Sequence, residues 1–532
     1  MKRLFCLVAL LVPGHAVAQV PASPITADEL AGRLRFFSSD LFLGRRPGTA
    51  GEALTTSYLV SELSAFGLRP GVNGSWFQAV SIVGHEPVPD APVSMVLSGR
   101  VTATWRHGAD LRVANHSDQA DVATGGDLVF IGYGITAPVY RWDDLARADL
   151  TGKIAVGLLG EPDADSTIFN GVRASRYSWT RDKEADLERR GAVGVLWIVP
   201  AGRMSKGPPG GSKLLAADAG RRRLLFTGTV ADSAVAALVP GGAAAYAQLV
   251  ASAGRRGFSA LPLGSRLEVR FRTRPWAVTS NNVVATVPGT DQVKAREHIV
   301  LSAHWDAYGI TSGQVPDSIY NGALDDGSGT TELLALARVF AGRPEPRSIT
   351  FLFATAEEWG LLGAEAFVCG GPLSPAQVVA NLNLDDGLEL FGLRRDVAPL
   401  GVELSSLGAD VDQLARTMGY RVTPDPLPAE GFFLRADNYP FARAGVPALY
   451  LALGTDGVGH PKGWIDGRVS EYLNRHYHAV SDDYDTVVED IRGAVQLAEF
   501  TRRLTVRIAR APGRPAWRPG AEFARSEAAC GR

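Results

Sequence analysis

The chain is poor in cysteine. Its 532 residues include only three, and Cys6 lies in an N-terminal stretch that we expect to be removed. The remaining two, Cys369 and Cys530, are too few for a disulfide framework or a thiolate metal site. They either pair with each other or are both free, and we assign neither to the chemistry of the protein.

The chain also has little excess charge of either sign. The formal net charge is −2, with 46% hydrophobic and 21% charged residues, which is an ordinary globular composition. This balance gives no reason to expect a nucleic-acid partner or binding to an acidic membrane surface. At this length we expect two or more domains, and nothing in the composition indicates the oligomeric state.

The apolar run at the N-terminus is too short to span a bilayer, so we expect no membrane span. It follows Lys2 and Arg3 and ends in Ala16-Val17-Ala18, an arrangement typical of a secretory signal. We therefore assign residues 1–18 to a signal peptide cleaved after Ala18. A secreted or periplasmic location follows from this assignment.

Three short apolar runs stand out in the second half of the chain: HIVLSAHWD, SITFLFATAEE and VVANLNLDD. Between the first two lies a Gly-rich turn with a helical pattern, NGALDDGSGTTELLALARVF. Continuous apolar strands that alternate with helices predict an α/β fold with a mixed, mostly parallel central sheet flanked by helices. In such sheets ligands bind outside the carboxyl ends of the strands.

The rest of the chain divides around this region. Residues 26–67 predict two helices with Thr26 and Thr49 as N-caps, and TVVEDIRGAVQLAEFTRRLTVRIARA predicts a long closing helix. Strand candidates between 110 and 275 indicate a separate β-rich domain inserted into the first. The predicted units are a main α/β domain of 19–109 plus 276–511, an inserted domain of 110–275, and a flexible tail of 512–532.

Acidic and imidazole side chains follow the predicted strands directly. His304 and Asp306 form an H-x-D pair, in which the carboxylate could hold the second nitrogen of a metal-bound imidazole. Asp325 in the Gly-rich turn could be helix N-terminal charge, or could bridge two cations. Glu357 and Glu358 imply a counter-charge: one could bind a metal while the other acts as general base on a metal-bound water.

Two further segments complete the set. Asp385 ends the third strand, and NRHYHAVSDDYDT offers both His476 and His478, between which spacing alone does not choose. This combination of nitrogen and oxygen ligands without a thiolate favours zinc, with cobalt or manganese as substitutes, over iron–sulfur or copper centres.

These segments resemble those of the co-catalytic dizinc aminopeptidases, the family of bacterial leucyl aminopeptidase, aminopeptidase Y and glutamate carboxypeptidase. The matching motifs, in order, are HWD, GALDDGSG, ATAEEWG, NLNLDDG and YHAVSDDYDT. FFSSDLFLGRRPGTAG is similar to the N-terminal segment of that family. VFIGYGITAPVYRWDDL, GKIAV and KEADLERRGAVGVLWIV are similar to its inserted protease-associated domain.

The resemblance implies a role for each residue, including the choice of His478 over His476. It places two zinc ions in each chain, each with three protein ligands and a shared water. The implied roles are His304 and Asp385 on one zinc, Glu358 and His478 on the other, Asp325 bridging, Glu357 as general base, and Asp306 as the partner of His304.

The sequence departs from the family pattern at two places. Asp386 stands where an apolar residue or glycine is common. Ala436-Asp437-Asn438 replaces the usual Ser-Asp-His in a segment that lines the substrate pocket. Arg435 and Asp437 are candidates for substrate contact, and an internal salt bridge is the alternative role.

The resemblance implies a secreted or periplasmic aminopeptidase that acts on peptides with a free N-terminus. Glu357 would accept a proton from the bridging water and pass it to the leaving amine. The alternatives are a carboxypeptidase or a glutaminyl cyclase of the same fold, or a non-catalytic peptide-binding relative. Five retained ligands argue against the single-zinc cyclase and against the non-catalytic relative.

Overall fold

The computed structural model describes residues 24–163, 168–171, 173–204, 210–211, 213–218, 224–311, 317–385 and 387–523. The proposed signal peptide, Asp386 and Cys530 lie outside these ranges. Cys369 is disulfide-bonded. Among the described residues, no helix combines the length and apolarity needed to cross a membrane.

The described ranges contain short strands, one very long strand, and helices of one to five turns. The strands are β1 Arg69–Pro70, β2 Phe77–Pro87, β3 Ser94–Gly99, β4 Ala103–Thr104, β5 Leu111–Asn115, β6 Asp121–Phe130, β7 Thr136–Ala137, β8 Trp142–Asp143, β9 Ile154–Leu158, β10 Gly194–Val199, β11 Gly210–Gly211, β12 Leu214–Leu215, β13 Phe226–Ala231, β14 Leu261–Val287, β15 His298–His304, β16 Gly309–Ile310, β17 Ile319–Tyr320, β18 Ser348–Ala354, β19 Val378–Leu384, β20 Asp396–Val397, β21 Arg421–Val422 and β22 Ala448–Leu451. The helices are α1 Ala27–Phe37, α2 Ala50–Ala65, α3 Thr180–Arg189, α4 Asp232–Ala236, α5 Gly242–Ala253, α6 Gly329–Ala341, α7 Leu362–Gly370, α8 Leu407–Met418, α9 Asn438–Arg443, α10 Trp464–Arg475, α11 Tyr484–Val487 and α12 Arg492–Arg510.

The first part of the sheet is built on parallel neighbours in the order β18, β15, β19, β22. β15 is buried on both faces: Ile299 and Leu301 pack into a core with α1, α6, α8 and α12, whereas Val300 packs into a second core with α7 and α9. Burial on both faces explains why these strands read as continuous apolar runs. The prediction of a mixed, mostly parallel sheet flanked by helices is confirmed.

A second part of the sheet forms around the first half of β14, which is 27 residues long. There β6, β9, β10 and β13 lie side by side, and each is parallel to the next. β6 also pairs with β14, and that pair is antiparallel. β3 and β4 also belong here, because Ser94–Gly99 is in register with residues 265–270 of β14. This part therefore begins before residue 110, where the sequence analysis placed the boundary. Its identity as a protease-associated domain stays a prediction.

The N-terminal helices begin where the sequence analysis placed them. Thr26 accepts a hydrogen bond from the Glu29 amide at the start of α1, and Thr49 accepts one from the Gly51 amide at the start of α2. The predicted closing helix is present as α12 over Arg492–Arg510, but the prediction that it continues without a break from Thr486 is wrong. The backbone amides of Glu489 and Asp490 donate to the carbonyl of Leu390 instead, which separates α11 from α12.

The C-terminal segment is packed where the structure describes it. The Trp517 indole donates to the Gly445 carbonyl at 2.8 Å, and Phe523 is 1% exposed in the core that contains α9. The prediction of a flexible tail from residue 512 is therefore wrong for 512–523, because the buried ring of Phe523 and the partly buried ring of Trp517 anchor that stretch. Residues 524–532 lie outside the described ranges.

Candidate metal centre

The candidate site forms at the carboxyl ends of β15, β18 and β19. His304 is the last residue of β15, while Glu357 and Asp385 follow β18 and β19 closely. Because β15 runs parallel to both neighbours, these three ends meet at one edge of the sheet. Asp325 reaches the same edge from the turn that leads into α6.

One group of possible ligands contains His304, Asp325 and Asp385, whose ligand atoms all lie within 4.8 Å of one another. His304 Nε2 is 3.1 Å from Asp325 Oδ1 and 3.8 Å from Asp385 Oδ1. All three residues are buried. Burial raises the pKa of Asp385 to about 6, so a nearby cation would favour its ionised form.

The second group contains Asp325, Glu358 and His478 within the same limit. His478 Nε2 is 3.2 Å from Asp325 Oδ2 and 3.4 Å from Glu358 Oε2. The two oxygens of Asp325 therefore face different histidines, which is the arrangement that a bridging carboxylate needs. Burial alone would raise the pKa of Asp325, but the imidazoles of His304 and His478 lower it below its ordinary value.

His476 is turned to a different partner. Its Nδ1 lies 2.9 Å from the Ser481 hydroxyl, and it is not in either group. The ring of His478 stacks on Tyr477 at 3.7 Å between centroids and meets the edge of Tyr308 at 4.9 Å. The geometry thus brings His478, rather than His476, to Asp325 and Glu358.

Glu357 lies beside the first group without belonging to it. Its Oε2 is 3.9 Å from His304 Nε2, and its backbone amide donates to Asp306 Oδ1 at 3.0 Å. Burial, together with the nearby carboxylates of Asp385 and Glu358, holds the pKa of Glu357 well above its ordinary range. A carboxylate with such a pKa has an increased affinity for a proton.

Asp306 contacts His304 mainly through its backbone. His304 Nδ1 lies 3.1 Å from the Asp306 carbonyl oxygen and 3.7 Å from its carboxylate. Carbonyls as well as carboxylates can orient a metal-binding imidazole. The carboxylate instead fixes the turn that carries Glu357, so Asp306 connects the imidazole to that glutamate.

Three buried charged residues that sequence reasoning did not select hold the Asp325 turn. Asp326 accepts from the amides of His304 and Gly329, each at 2.9 Å. Asp482 accepts from the amides of Leu324 at 2.9 Å and Asp325 at 3.1 Å, and burial raises the pKa of Asp482 to about 7.

The third is Arg45, which is 0% exposed. It donates to the carbonyls of Trp305 at 2.8 Å and Gly322 at 2.9 Å, so it ties the strand end after β15 to the Asp325 turn. Asp482 and Arg45 lie inside SDDYDT and FLGRRPGTAG. Both stretches were singled out in the sequence as similar to the family, but a local motif does not reveal which distant backbone atoms a side chain will contact.

Arg435 and Asp437 have different surroundings. Arg435 donates to the Tyr477 hydroxyl at 3.1 Å, lies 3.6 Å from the Glu430 carboxylate, and lines a cavity of about 370 Å³ together with both. Asp437 is fully buried, and neither carboxylate oxygen has a hydrogen-bond partner within the described part of the chain. Burial raises the pKa of Asp437 to about 8.

The donor set fits zinc. Each group offers one imidazole nitrogen and two carboxylate residues, one of which is shared, and zinc accepts both kinds of ligand. His304 Nε2 is buried and makes no hydrogen bond within the described residues, although it is close to Asp325. A buried imidazole nitrogen that makes no hydrogen bond and is surrounded by carboxylates is available to bind a cation.

Comparisons with known proteins agree with this fold. Residues 282–499 match the sequence model of Peptidase family M28. A vacuolar membrane protease of Candida dubliniensis is 40% identical over 90 residues, 17% of this chain and 8% of that protein. A probable zinc metalloprotease of Leptosphaeria maculans is 26% identical over 264 residues, 41% of this chain and 57% of that protein. The chain therefore spans less than two thirds of the length of either relative.

One solved structure, an aminopeptidase from Aneurinibacillus sp. strain AM-1, has the same fold over most of both chains. Its TM-score is 0.54 at 19% sequence identity, with 92% of this chain and 95% of that chain covered. At this identity the likeness establishes the architecture. The chemistry rests on the side chains described above.

Proposed function

Residues 282–499 belong to peptidase family M28, and from this premise we propose that the protein is an aminopeptidase that uses two zinc ions. The observation that carries the proposal is the position of Asp325, whose two oxygens lie 3.1 and 3.2 Å from two different histidines. A carboxylate shared between two ligand groups supports a pair of neighbouring metal ions. His304 and Asp385 would complete one position, and Glu358 and His478 the other.

The residues around the two positions support peptide-bond hydrolysis. When bound, two zinc ions would polarise the scissile carbonyl and make a nearby water more acidic. Glu357 is the group that would accept the proton of that water and return it to the leaving amine. Its raised pKa and its backbone hydrogen bond to Asp306 suit a general base held at a fixed position.

The charge of the site supports cleavage at a free N-terminus rather than at a C-terminus. Asp437 is a buried carboxyl group without a hydrogen-bond partner among the described residues, and electrostatic interactions couple it to Asp385 and Glu357. A protonated α-amine would supply the missing donors and counter-charge. Arg435, which lines the neighbouring cavity, would contact the N-terminal side chain of the peptide.

We also propose that the mature protein acts after export, in the periplasm or outside the cell, because residues 1–18 have the pattern of a cleavable signal. The vacuolar membrane proteases are named for a different location, but they share only a short segment with this chain. N-terminal sequencing of protein from culture supernatant and periplasm tests the proposal. A mature chain that begins at Gln19 is expected, whereas retention of Met1 in the cytoplasm would contradict it.

The first experiment on function is the Glu357→Gln variant. We expect it to retain zinc, since Glu357 belongs to neither ligand group, and to lose about 10²–10⁴-fold in kcat with aminoacyl-anilide substrates. Glu86→Gln is the matched control, because Glu86 forms an exposed ion pair with Arg274.

Near-normal hydrolysis by Glu357→Gln would remove that residue from its role. The alternatives give other outcomes with the wild-type chain. Release of C-terminal residues would indicate a carboxypeptidase, and cyclisation of N-terminal glutamine with one zinc per chain would indicate a glutaminyl cyclase. Peptide binding without turnover would indicate a non-catalytic relative.

A further inference from the structure

Two cationic side chains lie against Trp359, the residue that directly follows the candidate ligand Glu358. The Nζ atom of Lys213 is 5.2 Å from the Trp359 ring centroid, and the Cζ atom of Arg46 is 5.8 Å from it. Both distances are within the range of cation–π contact. We call these three residues the Trp359 cation pair.

The two cations come from distant parts of the chain. Arg46 follows the 3₁₀ turn after α1, whereas Lys213 immediately precedes β12. Pairing of Leu214 with Val83 in β2 fixes the backbone beside Lys213, and Leu215 packs with Trp359 in a small core. The structure thus brings Lys213, which lies in the 110–275 segment, close to Trp359 and so to the neighbouring candidate ligand Glu358.

Neither cation has an acidic partner within 4 Å among the described residues, whereas most of the described arginines do. Arg181 is an example nearby, since it pairs with Glu365 and donates to the Gly360 carbonyl. Lys213 is also largely removed from water, and burial together with the charge of Arg46 lowers its pKa. A nearby anion would favour the charged form of Lys213 and offset its repulsion by Arg46.

Negative charges at the metal centre partly balance the positive charge of the pair at longer range. The carboxylates of Glu358 and Asp306 act electrostatically on Lys213. Metal ions held by Glu358 would offset part of this negative charge at the pair. The pair would then attract an anionic group of the substrate, and the buried Trp359 ring would keep the two cations in place.

We propose that the Trp359 cation pair binds a carboxylate of the substrate just beyond the scissile bond, so that the enzyme prefers short peptides with a free C-terminus. The proposal rests on the proposed aminopeptidase function. One extended residue spans about 3.3–3.6 Å, so the terminal carboxylate of a dipeptide or tripeptide lies near the reacting carbonyl. The acidic residues around Asp437 would hold the amine at one end, and the cation pair would hold the carboxylate at the other.

The test compares kcat/KM of the zinc-loaded protein for Leu-Gly, Leu-Gly-NH₂ and Leu-Asp-NH₂. Wild type is expected to prefer Leu-Gly over its amide about tenfold, which corresponds to about 1.4 kcal/mol. Arg46→Gln and Lys213→Met should each lower this preference at least about threefold, with the effect mainly in KM. Lys153→Met is the matched control, because Lys153 has its own partner in Asp149.

The three substrates separate the possible sources of the carboxylate. A higher kcat/KM for Leu-Gly than for both amides shows that the pair binds the C-terminal carboxylate. A higher kcat/KM for Leu-Asp-NH₂ than for Leu-Gly-NH₂ shows that it binds an acidic side chain at the same place. Equal rates for Leu-Gly and its amide in wild type, or an unchanged preference in both variants, would overturn the proposal while leaving the aminopeptidase function intact.

If none of the three peptides is hydrolysed, the proposed function fails and the carboxylate site is decided separately by calorimetry. Tighter binding of Leu-Gly than of Leu-Gly-NH₂ by wild type, lost in Arg46→Gln and Lys213→Met, would still support the site. Equal binding of the two peptides would refute it.

Discussion

His478 is the most exposed of the residues proposed to bind metal. Its side chain is 34% exposed, whereas that of Glu358 is 4% exposed and that of Asp325 is 7% exposed. It is also the only member of the second ligand group that supplies a nitrogen. A substitution here should therefore remove one ligand without disturbing the buried core.

We expect His478→Ala to reduce the zinc content from two ions per chain to about one, because the first group of ligands remains complete. Elemental analysis of dialysed protein measures this content. His476→Ala is the matched control and should retain both ions, since that imidazole lies beside Ser481. Loss of zinc in the control but not in His478→Ala would exchange the roles of the two histidines.

His298, at the start of β15, gives a prediction about stability. Burial lowers its pKa to about 4, and its Nδ1 lies 2.9 Å from the Thr350 hydroxyl. The ordinary value in an unfolded chain is about 6.5. Between these values the unfolded chain binds the extra proton, so the contribution of His298 to stability is lost as the pH falls from about 6.5 to about 4.

His298→Gln should consequently show a smaller fall in its urea midpoint over this pH window than wild type shows. The measurement is a series of urea denaturation curves at pH values from 7 to 4 for both proteins. The same change of urea midpoint with pH in both proteins would mean that His298 binds its proton as well in the folded state as in the unfolded state.

The positions of the motif residues at strand ends could be predicted from the sequence, but the residues that support them could not. His304, Asp325, Glu357 and Asp385 stand at strand ends and turns that apolar periodicity makes visible. Asp482 does not, because its function depends on amides of residues 324 and 325, more than 150 positions away. Such contacts follow from tertiary packing, which a local pattern does not contain.

At the scale of elements, α3 is docked onto α9. The Tyr439 hydroxyl donates to Asp182 at 3.1 Å, and Arg443 lies 3.5 Å from the same carboxylate. Tyr439 is 1% exposed. α9 directly follows Arg435 and Asp437, the candidate substrate contacts. The contact therefore connects α3, which lies in the 110–275 segment, to the edge of the candidate substrate site.

A double-mutant cycle measures this contact. We expect Tyr439→Phe and Asp182→Asn each to lower the free energy of unfolding, with a coupling of about 1.5–3 kcal/mol, because the hydrogen bond is partly buried and joins a charged group. Arg189→Gln is the control on the same helix, since Arg189 is 67% exposed. Additive effects of the two substitutions would show that the contact contributes nothing.

The docking of α3 was not predictable from its sequence. TRDKEADLERR is rich in charged residues, and only the fold shows that Asp182 contacts the buried Tyr439. The division of α11 from α12 was missed for a similar reason. The amides of Glu489 and Asp490 bond to Leu390, a competing partner that the continuous helical pattern conceals.

At the scale of the whole molecule, β14 and the C-terminal segment join the two parts of the chain. β14 pairs with β6 and β3 in its first half and with β2 and β18 in its second. Glu522 accepts from the backbone amide of Arg176 at 2.9 Å, and Phe523 packs beside Tyr439. These contacts between the two parts depend on long-range packing, which local sequence patterns do not contain.

The central claim is that Asp325 lies between two zinc ions. An anomalous-difference map from a crystal of the zinc-loaded protein, recorded at the zinc edge, tests it most directly. We predict two peaks about 3.5–4 Å apart, one beside His304 and Asp385 and the other beside Glu358 and His478, with Asp325 in contact with both. A single peak, or peaks away from Asp325, would contradict the account.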